Sequence, residues 1–468
     1  MPREITPQEI ETANTLIARA RRAMEEIADW DQDQVDRLAQ AVGWYCGNEK
    51  TFVRIAQMGV DESGIGDRAG RVGKRFKIVG VLRDALRQKS VGVIEEDSEK
   101  GLTKIAKPAG VIASLIPTTN PELTPPVTGI YAAKCRDAVI FSPHPRAKAT
   151  TNEMVRVMRA ACKRVGAPED LFQCVATPSI PLTNYLMSEA DLSLATGGPA
   201  MVKAAYSSGK PAFGVGAGNS TMVIDETADI AEAAANSRMS KMSDFGSGCS
   251  ADGNLVILNE VYDRMRDALI SEGGHLCSAE EKALLEKALW SEDGSRRIET
   301  VAVSAQRIAD IAGFDLPEER KFLMVEQGEI GPEHNFSREK LSVTMALYRA
   351  RDFDDALAKV RAIYGVGGRG HSCGIYSFDE DRILQHALNA PVSRVMVRQP
   401  QSKANAGSFT NGMPMTSSLG CGFWGGNITN ENVNLKHYMN VTWVSRPIPE
   451  DRPSDAELFG EFYNSETL

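Results

Sequence analysis

The segment Phe245-Gly-Ser-Gly-Cys249-Ser-Ala-Asp-Gly-Asn254 sets a cysteine among small residues, after a helix-like run (Ile230 to Met242) and before a strand-like run (Asn254 to Leu258). No bulky neighbour in sequence covers the sulfur, so a substrate can reach it. Thiol reactivity follows the thiolate, which backbone N–H donors favour and apolar packing disfavours. Glycines 246 and 248 let the backbone approach a ligand closely. The pattern suits a nucleophilic thiol; an incidental small cysteine in a turn is the bland alternative.

Such a thiol needs a scaffold, and 468 residues with 42% hydrophobic content provide for two or three domains. A net charge of −9 without a basic run excludes nucleic acid as an expected partner. No apolar run approaches the roughly 18 residues that span a bilayer, so no membrane association and a cytoplasmic location are expected. The eight cysteines form no C-x-x-C pair and the histidines no H-E-x-x-H, so no metal is expected.

Apolar spacing predicts helices over 7–28, 34–46, 50–58 and 70–87. Short β-prone runs at 91–95 and 103–108 predict a hairpin, marginal unless it packs on something further. From Gly110 strands (111–116, 138–142, 171–175, 192–195, 211–215) alternate with helices (122–135, 148–165, 180–188, 199–208), the α/β pattern of a parallel sheet that binds ligands at its strand ends. A second α/β unit follows from about Asp225 to residue 400, and a last β-prone run covers 438–445. The loop Gly214-Val-Gly-Ala-Gly-Asn219 is not a Rossmann fingerprint, because a strand-like run follows where a helix should begin.

Taken together, Pro117-Thr-Thr-Asn120-Pro, Phe141-Ser-Pro-His-Pro-Arg-Ala-Lys148, Gly214 to Asn219, the Cys249 loop, Glu339-Lys-Leu-Ser342 and Leu419-Gly-Cys-Gly-Phe-Trp-Gly-Gly-Asn427 resemble the CoA-acylating branch of the aldehyde dehydrogenase superfamily. Within that branch the chain is most similar to acylating sulfoacetaldehyde dehydrogenases. The resemblance implies an α/β aldehyde dehydrogenase fold with a Rossmann-like cofactor domain (1–227, with hairpin 91–108 as an oligomerisation arm). It further implies an α/β catalytic domain (228–420) and a return segment with an oligomerisation strand (421–468), in a homodimer or homotetramer. Neither an alcohol dehydrogenase half nor an amino-terminal microcompartment segment is expected.

By the same resemblance Cys249 attacks an aldehyde, and Asn120 with the Cys249 backbone N–H stabilises the oxyanion. Thr118, Thr119, Ser142, Pro143, His144, Gly197, Gly198 and Gly216 run along a dinucleotide, and Glu339 holds its nicotinamide ribose. No acidic residue in 142–148 repels a 2′-phosphate, so NADP is allowed as well as NAD, and the sulfoacetaldehyde likeness leans toward NADP. Hydrolytic relatives carry a glutamate where this chain reads Phe213-Gly-Val-Gly-Ala-Gly-Asn219. Without that base for water, CoA is the expected acceptor and an acyl-CoA the product.

His371, Arg398 and Lys403 are the expected substrate contacts, with Ser408, Thr410 and Asn411 as neutral donors, since a dehydrated sulfonate must be paired. The expected reaction converts sulfoacetaldehyde, CoA and NAD(P)+ to sulfoacetyl-CoA and NAD(P)H. Acetaldehyde and succinate semialdehyde are the nearest alternative substrates. A phosphorylating semialdehyde dehydrogenase and a silent scaffold are alternatives of other classes.

Overall fold

The computed structural model describes residues 3–463; residues 1–2 and 464–468, the outer ends of the first and last expected segments, lie outside it. The chain opens with α1 (Pro7–Glu26), α2 (Gln32–Gly47), α3 (Glu49–Ser63), α4 (Arg68–Gly73) and α5 (Phe76–Leu86). Thr6, Asp31 and Asn48 cap the first three, each side-chain oxygen accepting a first-turn N–H. The single helix expected over 70–87 is interrupted at Lys74-Arg75, just after Gly73, a weak helix former.

Next, β1 (Gly92–Asp97) and β2 (Leu102–Pro108) form the expected antiparallel hairpin. Its missing support comes from the same chain: the strand at Met439–Ser445 pairs with the other edge of β2.

The first α/β unit comprises β3 (Val111–Ile116), α6 (Thr124–Cys135), β4 (Ala138–Pro143), α7 (Lys148–Val165), β5 (Phe172–Cys174), α8 (Ile180–Glu189), β6 (Leu192–Thr196), α9 (Pro199–Tyr206) and β7 (Ala212–Val215). The strands are parallel in the order β5-β4-β3-β6-β7. β3 and β4 are buried along their whole length, as strands with both faces covered must be. The strand order reverses between β3 and β6, which opens a crevice at their carboxyl ends.

A second unit holds β8 (Thr221–Ile224), α10 (Ile230–Met242), β9 (Asn254–Leu258), α11 (Asn259–Ser271), β10 (Gly274–Leu276), α12 (Ala279–Leu289), α13 (Ala305–Ala312), β11 (Phe322–Glu326), β12 (Thr344–Ala350), α14 (Phe353–Val366), β13 (Cys373–Tyr376), α15 (Glu380–Asn389), β14 (Val395–Val397) and α16 (Gln401–Ala404). Its seven strands are parallel in the order β10-β11-β12-β9-β8-β13-β14. The chain ends with β15 (Met439–Ser445) and α17 (Asp455–Phe459).

Each sheet has its own apolar core. Met415, Val433, Leu435 and Tyr438 bring the C-terminal segment back into the first. No helix among the described residues is long and apolar enough to cross a membrane.

Candidate active site

A cavity of about 410 Å³ lies between the two sheets. The first sheet contributes the loops that leave β3 (Pro117 to Asn120), β6 (Thr196 to Gly198) and β7 (Gly216, Ala217). The second contributes loops that enter its strands: Ser247 to Ser250 ahead of β9, and Glu339 and Leu341 ahead of β12. Carboxyl ends of one sheet thus face amino ends of the other.

The Cys249 loop is held by close backbone contact. After β7 no helix forms, and Gly218 instead packs directly on Cys249, where a Cβ at 218 would lie 1.7 Å from the Cys249 carbonyl oxygen. Upstream, Asp244, Phe245 and Gly246 are all left-handed, with φ of 51°, 51° and 69°. Two of these are strained non-glycine residues, and the Asp244 carboxylate holds the turn. It accepts hydrogen bonds from the Asp67 N–H at 2.9 Å, Arg71 Nε at 3.1 Å, Ser247 Oγ at 2.8 Å and Lys74 Nζ at 2.6 Å. Burial pushes the Asp244 carboxyl up, but Lys74 and Arg71 more than offset this, and it stays below its ordinary value.

Lys74 also donates to Asn120 Oδ1 at 2.8 Å and to the Thr119 carbonyl at 3.0 Å. An ammonium cannot accept, so this contact fixes the amide with Oδ1 toward Lys74 and leaves Nδ2 as a donor at the cavity. One ion pair therefore positions both the Asn120 amide and the turn ahead of Cys249.

Behind the sulfur lies His371, fully buried, with Nε2 3.0 Å from Cys249 Sγ. Its tautomer follows from the surrounding donors. Ser220 Oγ donates to the Cys249 carbonyl at 3.2 Å, so at its 3.3 Å contact with Ser372 Oγ it accepts. Ser372 Oγ also accepts from Asn405 Nδ2 at 3.0 Å, and its own proton goes to Ser220. The 2.8 Å contact is then satisfied by His371 Nδ1–H donating to Ser372, the tautomer that leaves the Nε2 lone pair facing the thiol. Burial pushes the Cys249 thiol up to about 12, with Glu339 adding to it, and the His371 imidazole down to about 3, with Arg394 adding to it. At rest this is a neutral thiol–imidazole pair.

Of the residues expected from sequence, Cys249, Asn120, Thr118, Thr119, His144, Gly197, Gly198, Gly216, Glu339 and Lys403 line the cavity together. Ser142 and Pro143 do not, because β4 carries Ser142 beneath α8, where its Oγ meets Thr183 Oγ1 at 2.8 Å. Arg398 is corrected outright as a substrate contact. Its guanidinium donates to the Ser377 carbonyl at 2.5 Å and covers the Phe378 ring at 4.4 Å, outside the cavity lining. Ser408, Thr410 and Asn411 stay outside as well. His371 is also corrected: it touches the nucleophile from behind and does not line the substrate space.

Lys74, Asp244, Ser372, Asn405 and Arg394 escaped the sequence reading. Arg394 is buried and bonds the His371 carbonyl at 2.8 Å and the Gly420 carbonyl at 2.5 Å, tying the histidine loop to the C-terminal segment. The adjacency of Asp244 to the Cys249 segment was the only available signal for it; Lys74 read as one more charge on a helix.

A dinucleotide fits this surface. α9 begins at the cavity with Gly198 at its cap and no side chain bonding its first N–H groups, an arrangement suited to a pyrophosphate. Glu339 is the only carboxylate lining the cavity among the described residues. The Gly218 N–H donates to its Oε1 at 2.8 Å and Arg296 lies 3.5 Å from its Oε2, which orients it as an acceptor for hydroxyls. His275, Cys277 and Glu281, with ligand atoms within 4.8 Å of one another, are the only metal-type grouping among the described residues, and they lie outside the cavity.

A crevice at strand ends, a thiol backed by an imidazole and an amide held for an oxyanion define an acyl-forming thiol enzyme on a nucleotide-binding scaffold. The chain belongs to the aldehyde dehydrogenase family, which residues 4–278 match. It is 43% identical to a sulfoacetaldehyde dehydrogenase from Acholeplasma sp, over 95% of this chain and 93% of that protein. A sulfoacetaldehyde dehydrogenase (acylating) from Bilophila wadsworthia is 38% identical over 97% of this chain and 99% of its own length. An acetylating aldehyde dehydrogenase from Geobacillus thermoglucosidasius superposes with a TM-score of 0.92 at 34% identity, covering 96% of this chain and 99% of that one.

Proposed function

We propose that the protein is a CoA-acylating aldehyde dehydrogenase that converts sulfoacetaldehyde and CoA to sulfoacetyl-CoA, with NADP or NAD as oxidant, in the cytoplasm. The observation that carries this reading is the Cys249–His371 pair at a cavity whose sole lining carboxylate among the described residues, Glu339, is already held by Gly218 and Arg296. The named relatives support the substrate and the acceptor.

Cys249 Sγ attacks the aldehyde carbon while its proton passes to His371 Nε2, so the buried pair need not separate charge before the bond forms. The oxyanion is stabilised by Asn120 Nδ2 and the Cys249 N–H, where loss of one donor costs roughly 100- to 1000-fold in rate. A bound nicotinamide dinucleotide supplies the two-electron acceptor that turns the thiohemiacetal into a Cys249 thioester. Thr118, Thr119, His144, Gly197, Gly198 and Gly216 would hold it along the cavity, and Glu339 would accept from its ribose hydroxyls. His371 first releases to solvent the proton it took from Cys249, the one net proton of the oxidation. The CoA thiol then attacks the thioester carbonyl as its proton passes to the neutral His371 Nε2, and that proton goes on to Cys249 as it leaves. Water lacks a dedicated carboxylate base here, whereas a thiol needs little help.

The test is formation of reduced cofactor from sulfoacetaldehyde with and without CoA. CoA-dependent turnover is expected; sustained turnover with water or phosphate alone would overturn the acyl-transfer reading. Exposed Val93, Val441 and Trp443 on the three-stranded sheet support a homo-oligomer, and a monomeric mass by light scattering would overturn that reading.

A further inference from the structure

At the end of the cavity beyond Asn120, three lysines converge. Lys74 comes from the break between α4 and α5, Lys77 from the start of α5 and Lys403 from α16, and all three line the cavity. Their donors are unequally committed. Lys74 donates to the Thr119 carbonyl, Asn120 and Asp244, which uses its three protons. Lys77 donates to the Ala406 carbonyl at 2.9 Å and the Gly407 carbonyl at 2.5 Å, and keeps one proton. Lys403 donates to Ser243 Oγ at 3.0 Å and keeps two. Neither Lys77 nor Lys403 forms an ion pair among the described residues.

Ammonium groups crowded in this way repel one another. Burial and then Lys403 push Lys77 down to about 7, and burial and then Lys74 lower Lys403. Of the carboxylates that face Lys403, Asp244 is spoken for by Arg71, Lys74 and Ser247, and Asp67 caps α4 through the Gly70 N–H. Two partly dehydrated cations without an anion are unfavourable unless a ligand brings one.

We propose that Lys77 and Lys403 form the anion seat of the aldehyde site, receiving the sulfonate of the substrate and selecting aldehydes that carry a negative group close to the carbonyl carbon. This rests on the acylating reading above. Lys403 reaches Ser243, six residues before Cys249, and Lys74 reaches Asn120, so the cluster adjoins the reacting carbon. The helix start suited to a pyrophosphate is formed elsewhere, by Gly198 at α9. The three sulfonate oxygens can accept the uncommitted protons, and a permanently ionised group keeps its charge in the pocket.

The test compares kcat/KM for sulfoacetaldehyde, succinate semialdehyde and acetaldehyde in wild type, Lys403→Met, Lys77→Met and Lys403→Arg. The ratio of sulfoacetaldehyde to acetaldehyde should fall about 10- to 100-fold in each Met variant and recover largely in Lys403→Arg. Turnover of acetaldehyde reports that the variants are folded. In wild type the same ratio should also fall as pH rises through about 7, because Lys77, faced by Lys403, which is itself faced by Lys74, Asp244 and Asp67, must carry its proton to bind the anion. Equal losses for all three aldehydes, or a rise in KM for CoA without a change in the ratio, would overturn the proposal. A selective effect on succinate semialdehyde alone would overturn the sulfonate assignment. Absence of CoA-dependent turnover in the wild type with every aldehyde would instead refute the acylating reading on which it rests.

Discussion

Cys249 Sγ lies 3.0 Å from His371 Nε2, and Cys373 Sγ lies 3.2 Å from His386 Nε2. Both pairs belong to the seven-stranded unit, and burial pushes both thiols up and both imidazoles down, His371 to about 3 and His386 to about 4. Electrostatically they are near twins. Their surroundings differ. Cys373 opens β13, paired with β8 on one side and β14 on the other, and His386 on α15 closes over it. Cys249 precedes its strand, in a loop of small residues whose backbone is pinned by Gly218 and Asp244 and whose sulfur borders the cavity. Proximity to an imidazole does not distinguish a nucleophile from a packing residue here; access and the fixed donors nearby do.

The largest expected effect follows from exchanging the two sulfurs in turn. Cys249→Ala should lower turnover by roughly 10⁴-fold or more while dinucleotide binding, followed by fluorescence, persists. Cys373→Ala should leave kcat within about twofold and cost about 1 kcal/mol of stability for the small cavity it creates. Iodoacetamide followed by peptide mapping should label Cys249 in the native protein and Cys373 only after unfolding. Comparable loss of turnover in both variants would mean that the Cys249 pair, too, is structural.

The contrast also explains what could be read in advance. The strands 111–116 and 254–258 and the helix 148–165 were legible to the residue because parallel strands buried on both faces are short apolar runs and the helix carries a clear periodicity. Cys249 was legible because a run of small residues surrounds it; Cys373 also lies between small residues, Ser372 and Gly374, and differs in sequence only in the strand-like Ile375-Tyr376 that follows at once. The partners were not legible. Asn120 is held by Lys74, 46 positions away, and Cys249 by His371, 122 positions away. No local pattern records such contacts. Arg398 misled for a related reason: a cation near the right loops in sequence has no direction until β14 ends and its backbone turns to φ 49°, which sends it to Ser377 and Phe378.

The two histidines sharpen the comparison at smaller scale. His371→Leu should slow acylation by roughly 100- to 1000-fold, the usual worth of a positioned proton acceptor, with a much smaller change in the KM for the dinucleotide. His386→Leu should leave turnover near wild type and act on stability instead. His386 sits neutral in the folded protein down to about pH 4, whereas the unfolded chain takes up that proton near pH 6.5. Stability is therefore fully present above about pH 6.5 and falls as pH drops toward 4, by roughly 2 kcal/mol at about pH 5 from this group alone. Denaturant midpoints measured at neutral pH and at about pH 5 should thus fall less steeply with acid in His386→Leu than in wild type. An unchanged acid slope would mean that Cys373 and its surroundings accommodate a charged His386, and the burial that makes the two pairs alike would have to be argued afresh.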